Sequence, residues 1–176
     1  GVGTVAGAGG GVRVLIITHA PSRNWDEQMY SAANGYPQAV TFHENRLYFG
    51  GGDNFPDFIN ASKTGDFYNF NTGDAADTDA IQIQISSNEI HQIRHLVSEK
   101  NLQIFTNTAE FYLRQQISKP VTPTDISLVK ESTSGCSKVS PHVFDGATIF
   151  IQDNKKNVRE FVYNQSTEIL EANNIS

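Results

Sequence analysis

The stretch GYPQAVTFHENRLYFGGGDNFPDFINASKTGDFYNFNTGDAADTD, residues 35–79, decides how the rest of the chain is read. Within it Val40 and Phe42 alternate with Thr41 and His43, Glu44-Asn45 supplies a turn, and Leu47 and Phe49 resume the alternation. Period-two alternation sends successive side chains to opposite faces of a strand, so this pattern predicts a β-hairpin. Asn45 suits the turn because its short polar side chain tolerates a positive φ. Gly50-Gly51-Gly52-Asp53 ends the second strand, residues 58–61 make a short third one, and Lys63-Thr64-Gly65-Asp66 turns into an aromatic strip of Phe67, Tyr68 and Phe70. An acidic loop with Asp74, Asp77 and Asp79 closes the stretch. It holds strands and turns throughout but no complete catalytic constellation, which points to a building part rather than an enzyme.

Downstream the same grammar continues. Ile81, Ile83 and Ile85 alternate strictly with Gln82 and Gln84, the clearest half-buried strand in the chain. Residues 90–97 place apolar side chains at 90, 93, 96 and 97, a helix-compatible spacing, yet they run into the polar turn Glu99-Lys100-Asn101. Strands are expected around Leu102–Ile104, Phe111–Leu113 and Ile126–Leu128. Pro120 and Pro123 forbid regular ladder pairing, so residues 118–124 connect. Residues 132–140 read as a small-residue loop holding Cys136, residues 143–151 as a hairpin across Asp145-Gly146, and residues 158–163 as the closing strand. From Asn164 the chain turns polar, with a short helical turn expected at 168–172.

Upstream, GVGTVAGAGGG precedes a strand-like run at 12–18, whereas a phosphate-cradling loop follows a strand and opens a helix. The glycines therefore read as a flexible segment. Trp25 and Tyr30, flanking a possible helical turn, read as plugs for a core edge. The expected organisation is a flexible segment at 1–11, a β-rich domain at 12–164 and a polar tail at 165–176.

Three phrases resemble one another: VTFHENRLYFGG at 40–51, HLVSEKNLQIFTN at 95–107 and HVFDGATIFIQD at 142–153. Each is an apolar strand, a short polar turn and a second apolar strand, at intervals suited to propeller blades. The expected fold class is all-β, built of small antiparallel sheets stacked face to face as an incomplete β-propeller or propeller-like sandwich. Three such units do not close a ring, so completion by further chain or by neighbouring subunits is expected.

At 176 residues the chain suits one domain of ordinary size. Its net charge of -6, with scattered Lys and Arg, argues against a dedicated nucleic-acid grip, which requires clustered cations to displace counterions from phosphate. A single cysteine, Cys136, forms no internal disulfide, which favours assembly in a reducing interior. No apolar run approaches a membrane span, so no membrane anchor is expected. With no initiator Met, the sequence reads as an excised part of a longer chain.

Four sets of residues invite chemistry. Asp74, Asp77 and Asp79 carry oxygen ligands of the kind calcium uses, but lack the glycine and terminal Glu of an EF-hand loop; turn capping is the commoner use. They are the candidate metal site, with Ca2+ the cofactor their oxygen ligands would suit. His91 and His95 would share a helix face, yet no Glu stands between them in zincin fashion. Cys136, six residues before His142, lacks any hydrolase signature around it. Trp25, Tyr30, Tyr36, Tyr48, Phe55 and Tyr68 could stack on sugars, although such aromatics more often fill a core. A carbohydrate-binding or glycan-processing propeller at a cell surface is therefore the alternative reading.

Several phrases, taken in order from about Trp25 to Tyr163, carry a resemblance: Trp25-Asp26-Glu27, GYPQAVTFHENRLYF at 35–49, SKTGDFYNF at 62–70, DTDAI at 77–81, LQIFT at 102–106 with Glu110, Ser132-Thr133-Ser134-Gly135-Cys136 and VREFVY at 158–163. Together they resemble the central β-rich region of the tail tubular protein B, or tail nozzle, family of short-tailed bacteriophages. The resemblance implies a non-enzymatic virion component, assembled in the host cytoplasm as a homo-oligomeric ring. Portal, adaptor and tail-fibre proteins are its implied neighbours, and DNA passes through the ring without specific binding. It implies no catalytic residue.

Overall fold

The computed structural model describes residues 29–114, 121–164 and 169–176, together with the backbone of residues 3–4 and 15–16. The expectations for the glycine-rich segment, for Trp25 and its helical turn, and for Pro120 lie outside the described residues. Two short strands, β1 (Gly3–Thr4) and β2 (Leu15–Ile16), pair antiparallel. All other strands fall into three four-stranded antiparallel meanders, and among the described residues there is no helix.

The first sheet runs β3 (Ala39–His43), β4 (Arg46–Gly50), β5 (Phe58–Ala61) and β6 (Ile81–Gln84). The second runs β7 (Ile93–Ser98), β8 (Leu102–Thr106), β9 (Glu110–Arg114) and β10 (Ser127–Ser132). The third runs β11 (His142–Phe144), β12 (Ala147–Ile151), β13 (Val158–Asn164) and β14 (Ile169–Asn174). The three resembling phrases are the opening hairpins β3–β4, β7–β8 and β11–β12. Two of those turns carry positive φ at both central residues, Glu44 (45°) with Asn45 (58°) and Asp145 (48°) with Gly146 (78°). That is the turn hand whose twist matches paired strands.

The second sheet is the middle layer. One of its faces meets the first sheet in a cluster of Tyr48, Ile59, Ile81, Ile93, Leu102, Ile104, Phe111 and Leu113. The opposite face meets the third through Phe105, Tyr112, Phe150, Phe161 and Leu170. Every residue of β8 is buried, as expected for a strand covered on both faces. The arrangement is open rather than a closed barrel, a layered stack of the propeller-like or sandwich kind.

The connections between sheets repeat one device. Asn54 N donates to Asn34 O at 3.3 Å, Asn107 N to Gln92 O at 3.0 Å and Asp153 N to Gly135 O at 3.0 Å. In each case the strap entering a sheet is held by that sheet's own second turn. The strap also binds the sheet it leaves, through Ile93 N to Pro56 O at 2.9 Å and Cys136 N to Thr106 O at 2.8 Å. Gly135 is at φ 69° and lies so close to the Asn107 carbonyl that no side chain fits there.

One expectation is overturned. In place of the helical turn expected at 168–172, the described residues 169–174 form β14, paired with β13 from Arg159↔Asn174 to Asn164↔Ile169. Leu170 is buried in the core between the second and third sheets. That burial, with the unfilled edge of β13, outweighs the polar composition that suggested an unpaired tail.

Candidate functional site

Pairing in the first sheet sorts its residues by face. Thr41, Tyr48, Ala61 and Ile81 stand opposite one another and turn toward the core. Val40, Phe49, Asn60 and Gln82 form the neighbouring row, and Phe42 pairs with Leu47, all on the outer face. An outer face facing water normally alternates to polar residues. Here it is apolar where β3 and β4 lie: Val40 is 60% exposed and Phe42 61%.

The 19-residue-position loop from β5 to β6 folds back onto this face. Phe67 meets Phe42 edge-on at 5.1 Å, Phe70 stacks on Phe49 at 5.4 Å, and Tyr30 approaches Phe49 edge-on at 6.1 Å. Between the two loop phenylalanines Tyr68 projects outward, 95% exposed. Asn60 Nδ2 donates to the Tyr30 hydroxyl at 2.8 Å and bonds Met29 Sδ at 3.1 Å, so the chain before β3 crosses the same face. The result is an aromatic ridge of which Val40, Phe42 and Tyr68 form the exposed crest, the kind of surface that marks interaction sites.

Arg46 fixes the loop beneath that ridge. It is buried at 2% exposure, and its guanidinium donates to Ser62 O at 2.7 Å, Asp79 O at 2.5 Å and Asp77 O at 2.7 Å. Burial draws its pKa down, opposed by the charges of Asp79 and Glu44, and the group stays cationic. Lys63 Nζ pairs with Asp79 Oδ1 at 2.7 Å, while Asp79 Oδ2 accepts from Ala76 N at 3.0 Å. The hydrogen bond from Lys63, with that from Ala76, holds the Asp79 carboxyl below its usual range.

The three aspartates considered for calcium therefore have unlike surroundings. Asp79 is buried and occupied by Lys63, whereas Asp74 and Asp77 are exposed. Among the described residues, no group of three or more His, Cys, Asp or Glu side chains is placed to hold a metal ion. The loop is closed on two cations of the protein itself, Arg46 and Lys63. Sequence reading missed Arg46 because one arginine in an alternating strand looks like a solvent-facing residue. Its only signal was that it shares a strand face with Tyr48.

The histidines do not meet. His91 lies before β7, fully buried, with Nε2 2.7 Å from Ser87 Oγ and Nδ1 2.6 Å from Thr108 Oγ1. His95 lies on β7, where Nε2 donates to Ser137 O at 3.1 Å. Burial lowers the pKa of both, as it does for His43. Cys136 is fully buried and its thiol is pushed up to about 12 by burial, so it holds its proton and is no nucleophile. The aromatic set is split: Tyr48 lies in the core and Tyr68 on the outer ridge.

Glu110 has no signature around it in the sequence and sits in an environment that disfavours its charge. It is fully buried; Oε2 accepts from the Ser132 hydroxyl and from Ser134 N at 3.3 Å, and Oε1 has no partner. Burial raises its pKa. It anchors the strap between the second and third sheets rather than facing any opening.

Taken together, the described residues offer an exposed apolar ridge and well-anchored straps. No curated protein matches the chain. A family profile described as bacteriophage nozzle protein matches residues 34–176, which takes in all three sheets. The chain belongs to the bacteriophage nozzle protein family, as a structural component of the phage tail.

Proposed function

We propose that this chain is a non-enzymatic part of the nozzle through which DNA leaves the virion. In this reading it sits in a homo-oligomeric ring, assembled in the host cytoplasm, with portal, adaptor and tail-fibre proteins as neighbours. The observation that carries the reading is the apolar crest of the first sheet: Val40 and Phe42 on a strand face that a solitary domain would fill with polar residues, with Tyr68 exposed on the loop folded over it. A net charge of -6 with dispersed cations suits a wall that DNA passes without adhering.

The experiment is complementation of a phage lacking the gene with full-length protein carrying Val40→Asp and Phe42→Asp. Both side chains are more than half exposed, and Phe42 meets Phe67 edge-on, so the isolated protein is expected to stay folded with a modestly lowered unfolding midpoint, which circular dichroism checks. Incorporation into particles is expected to fall at least tenfold; wild-type incorporation would overturn the reading.

A further inference from the structure

A cleft of about 410 Å³ opens at one end of the sheet stack, between the turns of the second and third sheets. Its walls come from Glu89 before β7, Asn107 in the β8–β9 turn, Ser134 in the strap, and Gln152, Asp153 and Asn154 in the β12–β13 turn. We propose that this cleft binds a polyhydroxylated ligand, a short oligosaccharide segment.

The argument begins with three amides whose carbonyl ends are already engaged. Asn107 Oδ1 accepts from Gln92 N at 2.8 Å, and Asn154 Oδ1 from Lys156 N at 2.9 Å. Gln152 Oε1 accepts from Asn157 Nδ2 at 2.9 Å and from Arg159 Nε at 3.2 Å. These bonds fix which end of each amide faces the protein, leaving three NH2 groups without an acceptor among the described residues. Acceptors stand beside them: the exposed Glu89 carboxylate, and the second oxygen of Asp153, whose Oδ1 is paired with Arg94. A sugar hydroxyl donates and accepts at once, so it is served by paired amide donors and carboxylate acceptors. An extended peptide is served less well, because no aromatic or large aliphatic side chain lines the cleft, whose only branched apolar groups are the methyls of Thr108 and Thr133. An anion is disfavoured by the two carboxylates.

Preorganisation favours the site as well. Strap and turn are tied by Asp153 N to Gly135 O at 3.0 Å, and Arg94 Nη1 also donates to Cys136 O at 2.5 Å, so the cleft walls are set before a ligand arrives.

The test is a two-dimensional 15N–1H correlation spectrum of the labelled full-length protein, titrated with neutral oligosaccharides released from bacterial surface polysaccharides. Side-chain NH2 resonances of Asn107, Gln152 and Asn154 are expected to shift saturably. Asn154→Ala, at an exposed turn position, should weaken the apparent affinity at least fivefold while leaving the remaining spectrum in place. Absence of saturable shifts, shifts confined to other residues, or the same shifts with calcium chloride alone would each overturn the proposal.

Discussion

At the scale of single residues, Arg46 is the key to the first sheet. Its guanidinium satisfies the buried carbonyls of Ser62 and Asp79, which would otherwise lack this donor, and reaches the Asp77 carbonyl at the part-buried edge of the loop. Replacing it with Ala should destabilise the fold by about 1–3 kcal/mol for each buried carbonyl left without a donor; denaturant titration measures this. Because Lys63 occupies Asp79, adding calcium should leave the unfolding temperature unchanged, and a rise of several degrees would contradict that account. The titratable groups predict a pH profile. His43, His91 and His95 have folded pKa values below the unfolded value of about 6.5. Their contribution is complete above that pH and is lost as pH falls, because the unfolded chain takes up protons first. Glu110 has a folded pKa raised above its unfolded value, so its contribution is complete below that value and lost as pH rises. Glu110→Gln should therefore raise stability at pH 7 and converge on wild type in acid, as seen by urea midpoints across pH. None of this was legible from sequence. A lone Glu, Arg or His in an alternating strand looks the same whether its neighbours are water or another sheet, and only the stacking of sheets decides which.

At the scale of elements, the sequence is most legible where spacing is local. The hairpin at Glu44-Asn45, the Asp145-Gly146 turn and the alternating Ile81, Ile83 and Gln82, Gln84 all appear as strands and turns at their expected places. What spacing could not give is the use of β8 on both faces, or the recruitment of Ile169–Asn174 as a fourth strand, since both depend on partners distant in sequence. The 90–97 segment shows the ambiguity directly. Its apolar positions fit a helix, yet β7 begins only at Ile93 and carries an irregularity between Ile93 and His95. Stacking of the second and third sheets rests on Phe105, fully buried with Phe150 at 5.1 Å and Phe161 at 5.7 Å. Phe105→Ala should cost about 3–5 kcal/mol, as for other buried phenylalanines. Hydrogen exchange should show the loss concentrated in β12 and β13, which would lose their packing partner, rather than in β4 and β5.

At the scale of the whole molecule, three meanders bury their mutual faces and leave the aromatic crest of the first sheet outside, with Phe144 on β11 also exposed. The repeat that first suggested stacked units proves to be the opening hairpin of each sheet, and each strap is tied to the sheets before and behind it. Rigid straps and a fixed ridge suit a subunit whose surfaces must meet neighbours in one geometry, and membership of the nozzle family supplies the setting. The most direct measurement is hydroxyl-radical footprinting of the isolated protein and of intact virions, read by mass spectrometry at Phe42 and Tyr68. The account predicts strong oxidation of both in the isolated protein and at least fivefold protection in the virion. Equal oxidation in the two states would contradict it.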